Sequence, residues 1–319
     1  MGPRARFSSI AVLMVLTASI VRADPAPPAV SWAAHETAVT ALAFSPDGKS
    51  LATFCDDGSA KLWDVATHKA IGSLDKLING HNAVRFSPDG KILYALDTND
   101  SLARLNTADG TRLPSLPLKS PAGETTTFDI ASDGNSIAVV GRGSLRILSA
   151  KDGSELQNWV VHELYGIDAA IFSPDGKFVA TAGTDHKCDV VECTTGKIPF
   201  EFATHLNGQF IAYARDAKRL YVANSDGSLQ SLDFASGDVV DLGNEHTSIL
   251  AVVPSADGKT LYAATGGHGP VVITPANTEP DASVFNTDGL VKTIALSPDG
   301  AWLAGGGQDG AVYLWKLSK

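Results

Sequence analysis

A short turn sequence, Ser-Pro-Asp-Gly, occurs at 45–48, 87–90, 173–176 and 297–300, and weaker copies fill the gaps between them. Ser-Asp-Gly at 132–134, Arg-Asp-Ala at 215–217 and Ala-Asp-Gly at 256–258 complete a series anchored on Asp47, Asp89, Asp133, Asp175, Asp216, Asp257 and Asp299. Successive anchors lie 42, 44, 42, 41, 41 and 42 residues apart. A turn recurring at a nearly fixed period marks a repeat architecture, in which each unit is one supersecondary element stacked on its neighbours.

The residues around each anchor define that element. Four residues after it stand Leu51, Leu93, Ile137, Val179, Leu220, Leu261 and Leu303. Three residues before it stand Phe44, Phe86, Ile130, Phe172, Tyr213, Pro254 and Leu296. Pro presets φ and Gly accepts positive φ, so Pro-Asp-Gly between two apolar runs predicts a tight hairpin. A third run follows at Ser59–Asp64, Ser101–Asn106, Ser144–Ser149, Lys187–Glu192, Ser228–Asp233, Pro270–Thr274 and Ala311–Lys316. A more variable fourth closes each unit, as at Lys69–Leu74, Glu155–Val160 and Lys197–Phe202. Short runs rich in Val, Ile, Leu and aromatics between Gly, Asp, Ser and Pro predict strands, four to a repeat.

A lone four-stranded unit leaves both faces uncovered. Stacking such units radially buries them, so the chain is expected to be all-β: a seven-bladed β-propeller spanning 29–319. The last repeat ends after three strands at Lys319. The unassigned run Ala29–Ala34 precedes the first repeat. Trp32-Ala33-Ala34-His35 stands before repeat one as Trp159-Val160-Val161-His162 stands before repeat four. The N-terminal run is therefore expected to complete the last blade and close the ring, removing two sheet edges.

Residues 1–23 read as a secretory signal peptide: Arg4 and Arg6, an apolar stretch over Ile10–Val21, and the small-residue site Val21-Arg22-Ala23. The stretch is short for a bilayer span, which takes about 20 residues. A retained anchor is the alternative. Asp24–Pro28 is then a short linker, and the mature protein is expected in the periplasm or outside the cell. Cleavage removes Arg4, Arg6 and Arg22, leaving 22 Lys and Arg against 35 Asp and Glu, a formal charge of −13. So acidic a chain, with no basic stretch, is poorly suited to nucleic acid or anionic membranes. A monomer is expected, with no stable membrane insertion after cleavage. Cys188 and Cys193 would stand about 16 Å apart along an extended strand, beyond disulfide reach. Cys55 lies three repeats away, so all three are expected as free packing residues.

Asp57-Gly58-Ser59-Ala60-Lys61-Leu62-Trp63-Asp64 resembles the third strand of WD-repeat propellers, and Asp309-Gly310-Ala311-Val312-Tyr313-Leu314-Trp315-Lys316 is close to it. The resemblance implies a buried network of His, Ser or Thr, Asp and Trp in each intact blade. Repeat one carries all four as His35, Thr53, Asp57 and Trp63. Repeat four keeps His162, Thr181 and Asp185, with Val191 at the Trp position. Repeat seven keeps Asp309 and Trp315 but has Gly305 where the hydroxyl belongs. Gly80-His81 is too close to its anchor to be assigned. Lys218–Asn224 and Lys259–Ala264 are also similar to the Tyr-Val-Thr-Asn propellers, a family with lactonase-like members.

No motif carries chemistry on its own. His35-Glu36 and His162-Glu163 lack the second His of a zinc helix. Gly305–Gly310 fits a dinucleotide fingerprint in spelling only, because a strand and not a helix follows. The anchor carboxylates, one per blade, are explained by their turns. No metal, cofactor or catalytic set is expected. The leading reading is a non-enzymatic scaffold that binds a protein or peptide on the face formed by the turns between second and third strands and the loops before first strands. That face is expected to carry Asp56, Arg142, Tyr165, His186, Lys187 and His268. Arg142 and Tyr165 rank first, since Arg and Tyr are enriched at binding hot spots. The alternatives are a lactonase-like or quinoprotein-like enzyme with a site at the channel mouth, and a purely structural envelope protein.

Overall fold

The computed structural model describes residues 27–77, 84–119, 125–163, 165–244, 248–255, 257–258, 260–265, 269–273, 285, 287 and 289–317. The expected leader, most of the linker, Gly80-His81 and His268 lie outside them. The described chain is an all-β propeller fold without helices, made of seven antiparallel sheets that follow the repeats in order.

Sheet one shows the common plan. Val39–Phe44, Ser50–Cys55, Ala60–Asp64 and Ala70–Leu74 pair in chain order. The first hairpin turns on the anchor. Ser45 Oγ donates to Asp47 Oδ1 at 2.7 Å, and Ser45 Oγ accepts from the Ser50 amide at 2.9 Å. Gly48 sits at φ +71°, where a side chain would be strained. Ser87 with Asp89, Ser173 with Asp175, Ser255 with Asp257 and Ser297 with Asp299 repeat the Ser–Asp bond. In the degenerate copy Ala217 adopts φ +57° without glycine. These carboxylates are held by their own turns.

Six sheets have four strands, and the sixth in chain order has three: Ile249–Pro254, Leu261–Thr265 and Pro270–Ile273. Four strands in every repeat is therefore the observed pattern of six repeats among the described residues, and residues 274–284 lie outside them. The fourth strand of sheet four is Phe200–Ala203, three residues later than Lys197 at its predicted start. The chain makes a bonded turn at 192–197 first: the Glu192 amide bonds Lys197 O, and the Gly196 amide bonds Glu192 O.

Sheet seven takes its fourth strand from the other end of the chain. Val30–Ala33 pairs antiparallel with Ala311–Lys316, setting Val30 opposite Leu314 and Ala33 opposite Ala311. The strand then leaves through a bond found at the ends of other fourth strands. Gly310 O accepts from the His35 amide at 2.9 Å, as Gly58 O does from Leu77 at 3.0 Å and Gly143 O from His162 at 3.1 Å. Sheets one and seven share a core of Val39, Leu42, Leu51, Trp63, Ala304, Val312 and Leu314.

Similar apolar clusters fill the other described boundaries. Leu93 and Leu105 pack on Phe54 and Leu62, and Phe128 on Tyr94. Burial of inward residues on both sides of each boundary is the main source of stability in such an array. The three cysteines are free; Cys55 and Cys188 are buried and Cys193 partly so. Burial pushes the Cys193 thiol up to about 12, which keeps it protonated.

Candidate functional site

In sheet one the residues matched to the WD network meet as a chain of contacts. Trp63 Nε1 donates to Thr53 Oγ1 at 2.9 Å, and His35 Nε2 lies 2.6 Å from the same hydroxyl. Thr53 Oγ1 accepts from the indole and also lies 3.4 Å from Lys61 O, so one hydroxyl joins the indole, the imidazole Nε2 and a strand carbonyl, while the other ring nitrogen is Nδ1. That nitrogen faces Ser59 Oγ at 3.5 Å. Asp57 is one step further out: its Oδ1 accepts from Cys55 Sγ at 2.8 Å and from the Ser59 amide at 2.8 Å. The expected buried four-member network is therefore only partly formed in sheet one: Asp57 is exposed and reaches His35 only through Ser59. Burial, then the nearby Lys61 charge, hold His35 down to about 4, only partly offset by Asp57.

Sheet four has the opposite combination. His162 is fully buried, and its Nδ1 lies 2.8 and 2.9 Å from the two oxygens of Asp185. Its Nε2 is 3.0 Å from Thr181 Oγ1. An ionised carboxylate only accepts, so the proton sits on Nδ1 and Nε2 receives the Thr181 hydroxyl. Val191 fills the Trp position within an apolar cluster. In sheet seven Asp309 bonds the Tyr313 hydroxyl at 2.6 Å. Trp315 Nε1 is buried there without a hydrogen-bond partner, because Gly305 offers no hydroxyl.

The sequence reading missed one recurring position on the third strand. In sheet one it is Lys61, whose Nζ donates to Ala34 O at 2.8 Å. In sheet five it is Gln230, whose Nε2 reaches Ala203 O at 3.4 Å. Arg146 in sheet three similarly donates through Nη2 to Leu118 O at 2.9 Å. Each ties the third strand to the segment leading out of a fourth strand. In sheet four the position is Asp189, a residue with nothing to donate when ionised. Its signal was present as a polar residue 14 positions after each of the anchors Asp47, Asp175 and Asp216. Two other links were also unforeseen. Arg85 Nε bonds Asp129 Oδ1 at 2.9 Å while Asp129 Oδ2 accepts from the Phe172 amide, joining the first strands of sheets two, three and four. Arg215 Nη2 donates to Ser297 O at 3.0 Å, tying the anchor turn of sheet five to that of sheet seven.

The candidate partner face is assembled from three backbone segments. The turn holding Arg142 and Gly143 receives the Val161 and His162 amides on Gly143 O at 2.8 and 3.1 Å. The loop then carries Tyr165 outward, 51% exposed, with its amide on His162 O. The next residue, Gly166, donates to Thr184 Oγ1 at 3.1 Å and accepts from the Thr184 amide at 2.9 Å. Thr184 opens the turn presenting His186 and Lys187. Arg142, Tyr165, His186 and Lys187, all exposed, therefore stand on one shoulder between sheets three and four. Lys187 Nζ is paired with Glu201 at 2.7 Å. Two glycines make the close fit possible: a Cβ on Gly143 would lie 1.9 Å from His162 O, and one on Gly183 2.5 Å from Gly166 O. Asp56 occupies the corresponding turn of sheet one and does not join this group.

Among the described residues no set of three or more His, Cys, Asp or Glu is placed to hold a metal ion. No helix among them is long and apolar enough to cross a membrane.

Repeating four-stranded sheets, the third-strand Trp and the His–Thr contacts define a class: the chain has an all-β propeller fold that carries WD repeats. The family model "WD domain, G-beta repeat" matches residues 27–64, 153–190 and 282–316. The chain is similar to centriole proteome protein 16 of Chlamydomonas reinhardtii, 24% identical over 87% of this chain and 13% of that one. It is 25% identical to eukaryotic translation initiation factor 3 subunit I of Coccidioides immitis, over 89% of this chain and 81% of the relative. An uncharacterized WD repeat-containing protein of Synechocystis is 28% identical over 50% of this chain and 45% of its own length. The chain spans well under two thirds of the first and third of these. A crystallised β-propeller domain of Cps50 (Swd1) from Myceliophteria thermophila superposes with a TM-score of 0.76 over 91% of this chain and all of that one, at 14% identity.

Proposed function

We propose that this protein is an exported, non-enzymatic interaction scaffold that binds a protein or peptide on the shoulder bearing Arg142, Tyr165, His186 and Lys187. The observation that carries the reading is the junction itself. Three backbone segments are bonded together, yet the side chains they present stay exposed. Rigid backbone with an exposed Arg and Tyr is the composition of a binding hot spot. By contrast, the anchor turns repeat nearly the same residues from blade to blade and offer little to discriminate partners. Relatives named as an initiation factor subunit and as an actin-interacting protein are in keeping with a role in assemblies.

The scaffold is a single seven-bladed ring in this reading, with the three-stranded sheet as one blade and Val30–Ala33 as the closing strand. Support comes from the anchor-turn face. A Cβ on Gly48 of sheet one would lie 3.6 Å from Pro298 Cδ of sheet seven. The consecutive pairs Gly90 with Pro46 and Gly134 with Pro88 give 3.4 Å each, so the first and last turns nest like neighbours. Export rests on the leader-like residues 1–23, and the acidic charge suits an extracytoplasmic, monomeric protein without nucleic-acid partners.

The test is capture from an envelope extract with wild type and an Arg142→Ala/Tyr165→Ala double variant, both shown folded by circular dichroism. The expected result is a partner retained by wild type and lost by the variant. If Lys49→Ala/Lys91→Ala/Lys177→Ala on the anchor-turn face loses the partner while the double variant keeps it, the choice of face is wrong.

A further inference from the structure

Asp189 occupies the third-strand position where Lys61 and Gln230 donate to a carbonyl. It is 2% exposed, and its Oδ1 has no hydrogen-bond partner within the protein. Its Oδ2 faces His162 Nε2 at 3.9 Å, too far for a hydrogen bond. That imidazole is already held by Asp185 on one nitrogen and Thr181 on the other. The charges facing Asp189 come from every neighbouring element. Asp185 lies in the turn before its strand, Lys187 on its own strand, Glu201 on the fourth strand and His162 in the loop. Glu201 and Lys187 neutralise one another across 2.7 Å. An ionised Asp189 therefore has no donor on Oδ1 and a second carboxylate close by. A buried carboxylate in that position favours its neutral form, whose hydroxyl supplies the donor the position otherwise lacks.

The cluster lies directly beneath the proposed binding shoulder. His162 holds the Tyr165 amide through its carbonyl and the Arg142–Gly143 turn through its own amide. The imidazole and both of these backbone bonds thus belong to one residue.

We propose that Asp189 and His162 form a proton-operated latch under this shoulder: with Asp189 protonated the backbone bonds of Val161, His162, Tyr165 and Gly166 are held closed, and with Asp189 ionised they open to water. This rests on the shoulder reading only for its functional consequence; the latch itself requires no partner. The direction agrees with Asp189 being raised to about 6 by burial, against the opposing pull of His162. In the interval from the ordinary carboxylate range up to that value the closed form binds a proton that the open form has released. Opening therefore becomes more favourable as pH rises through that interval and levels off above it.

Amide hydrogen exchange on the full chain, corrected for intrinsic rates, tests the latch between pH 4 and pH 7. The reporters are the amides of Val161, His162, Tyr165, Gly166 and Thr184. Their protection is expected to fall more than tenfold from pH 4 to pH 6.5, at most tenfold per unit for one proton, and then to stay level. Asp189→Asn keeps the shape and removes the charge, and its profile is expected to be flat. A flat wild-type profile, or a sloping Asp189→Asn profile, overturns the proposal. Should that variant fail to fold, carbon-13 carboxyl titration of wild type decides: an Asp189 midpoint between pH 5 and 7 supports the latch, and one below pH 5 refutes it. Failure here leaves partner capture untouched, and failure of capture leaves the exchange profile untouched.

Discussion

Trp63→Ala is the substitution that most directly measures what the surviving WD network contributes. The indole is 7% exposed and belongs to the core shared by sheets one and seven. Removing it leaves a cavity that the strand pairing on both sides prevents from collapsing, and Trp→Ala changes of this kind cost about 3–5 kcal/mol. The edge-on contact with Trp32, at 5.9 Å between ring centroids, is lost as well. Such a pair adds about 0.5–1.5 kcal/mol beyond its buried area. Thr53 also loses its indole donor while keeping His35. A loss of about 4–5 kcal/mol is expected. Trp63→Phe keeps most of the ring and deletes the N–H, so it isolates the bond to Thr53 at about 1 kcal/mol. Urea unfolding followed by far-ultraviolet circular dichroism gives both values, provided the slope m is unchanged. A loss below about 1.5 kcal/mol for Trp63→Ala, or equal losses for the two variants, would refute the packing argument.

The two aspartates of the network should differ. Asp57→Ala disturbs an exposed turn and is expected to cost about 1 kcal/mol or less. Asp185→Ala leaves the buried His162 Nδ1–H without its acceptor and should cost about 1–3 kcal/mol; paired urea titrations compare them. His35 gives a pH dependence of defined sign. Its folded value near 4 lies below the ordinary 6.5, so between those values the unfolded chain binds more protons and stability rises with pH. Melts of wild type and His35→Gln, which removes the titrating imidazole, from pH 4 to 7 should show that rise in the wild type and lose it in the variant. Gly143→Ala must place a Cβ at φ +79° and 1.9 Å from His162 O. It is expected to cost at least about 2 kcal/mol and to expose residues 161–166 to protease.

Most of the fold was legible because its determinants are local. Pro-Asp-Gly with a Ser before it encodes a hairpin through bonds spanning two to five residues, so each copy announces its own turn. Val30–Ala33 was readable from analogy with Trp159-Val160, although its partner strand is some 280 residues away. The start of Phe200–Ala203 was misplaced because the bonded turn at 192–197 takes up Lys197, and Pro199 just before the strand has no amide hydrogen to pair. The site was less legible. Spacing places His35, Thr53 and Trp63 together, but whether Asp57 or Ser59 faces the imidazole is decided by rotamers and not by spacing. Asp189 escaped notice because a lone acid on a strand looks like a solvated residue; burial beside His162 makes it unusual.

The central claim is that binding resides on the shoulder between sheets three and four. The direct measurement is calorimetric affinity of the captured partner for three purified proteins: wild type, Arg142→Ala/Tyr165→Ala, and Lys49→Ala/Lys91→Ala/Lys177→Ala. Loss of an Arg or Tyr anchor typically costs about 2 kcal/mol or more, so the shoulder variant should bind at least about thirtyfold more weakly. The anchor-turn variant should stay within about threefold of wild type. Equal affinities for wild type and the shoulder variant, with loss in the anchor-turn variant, would contradict the account.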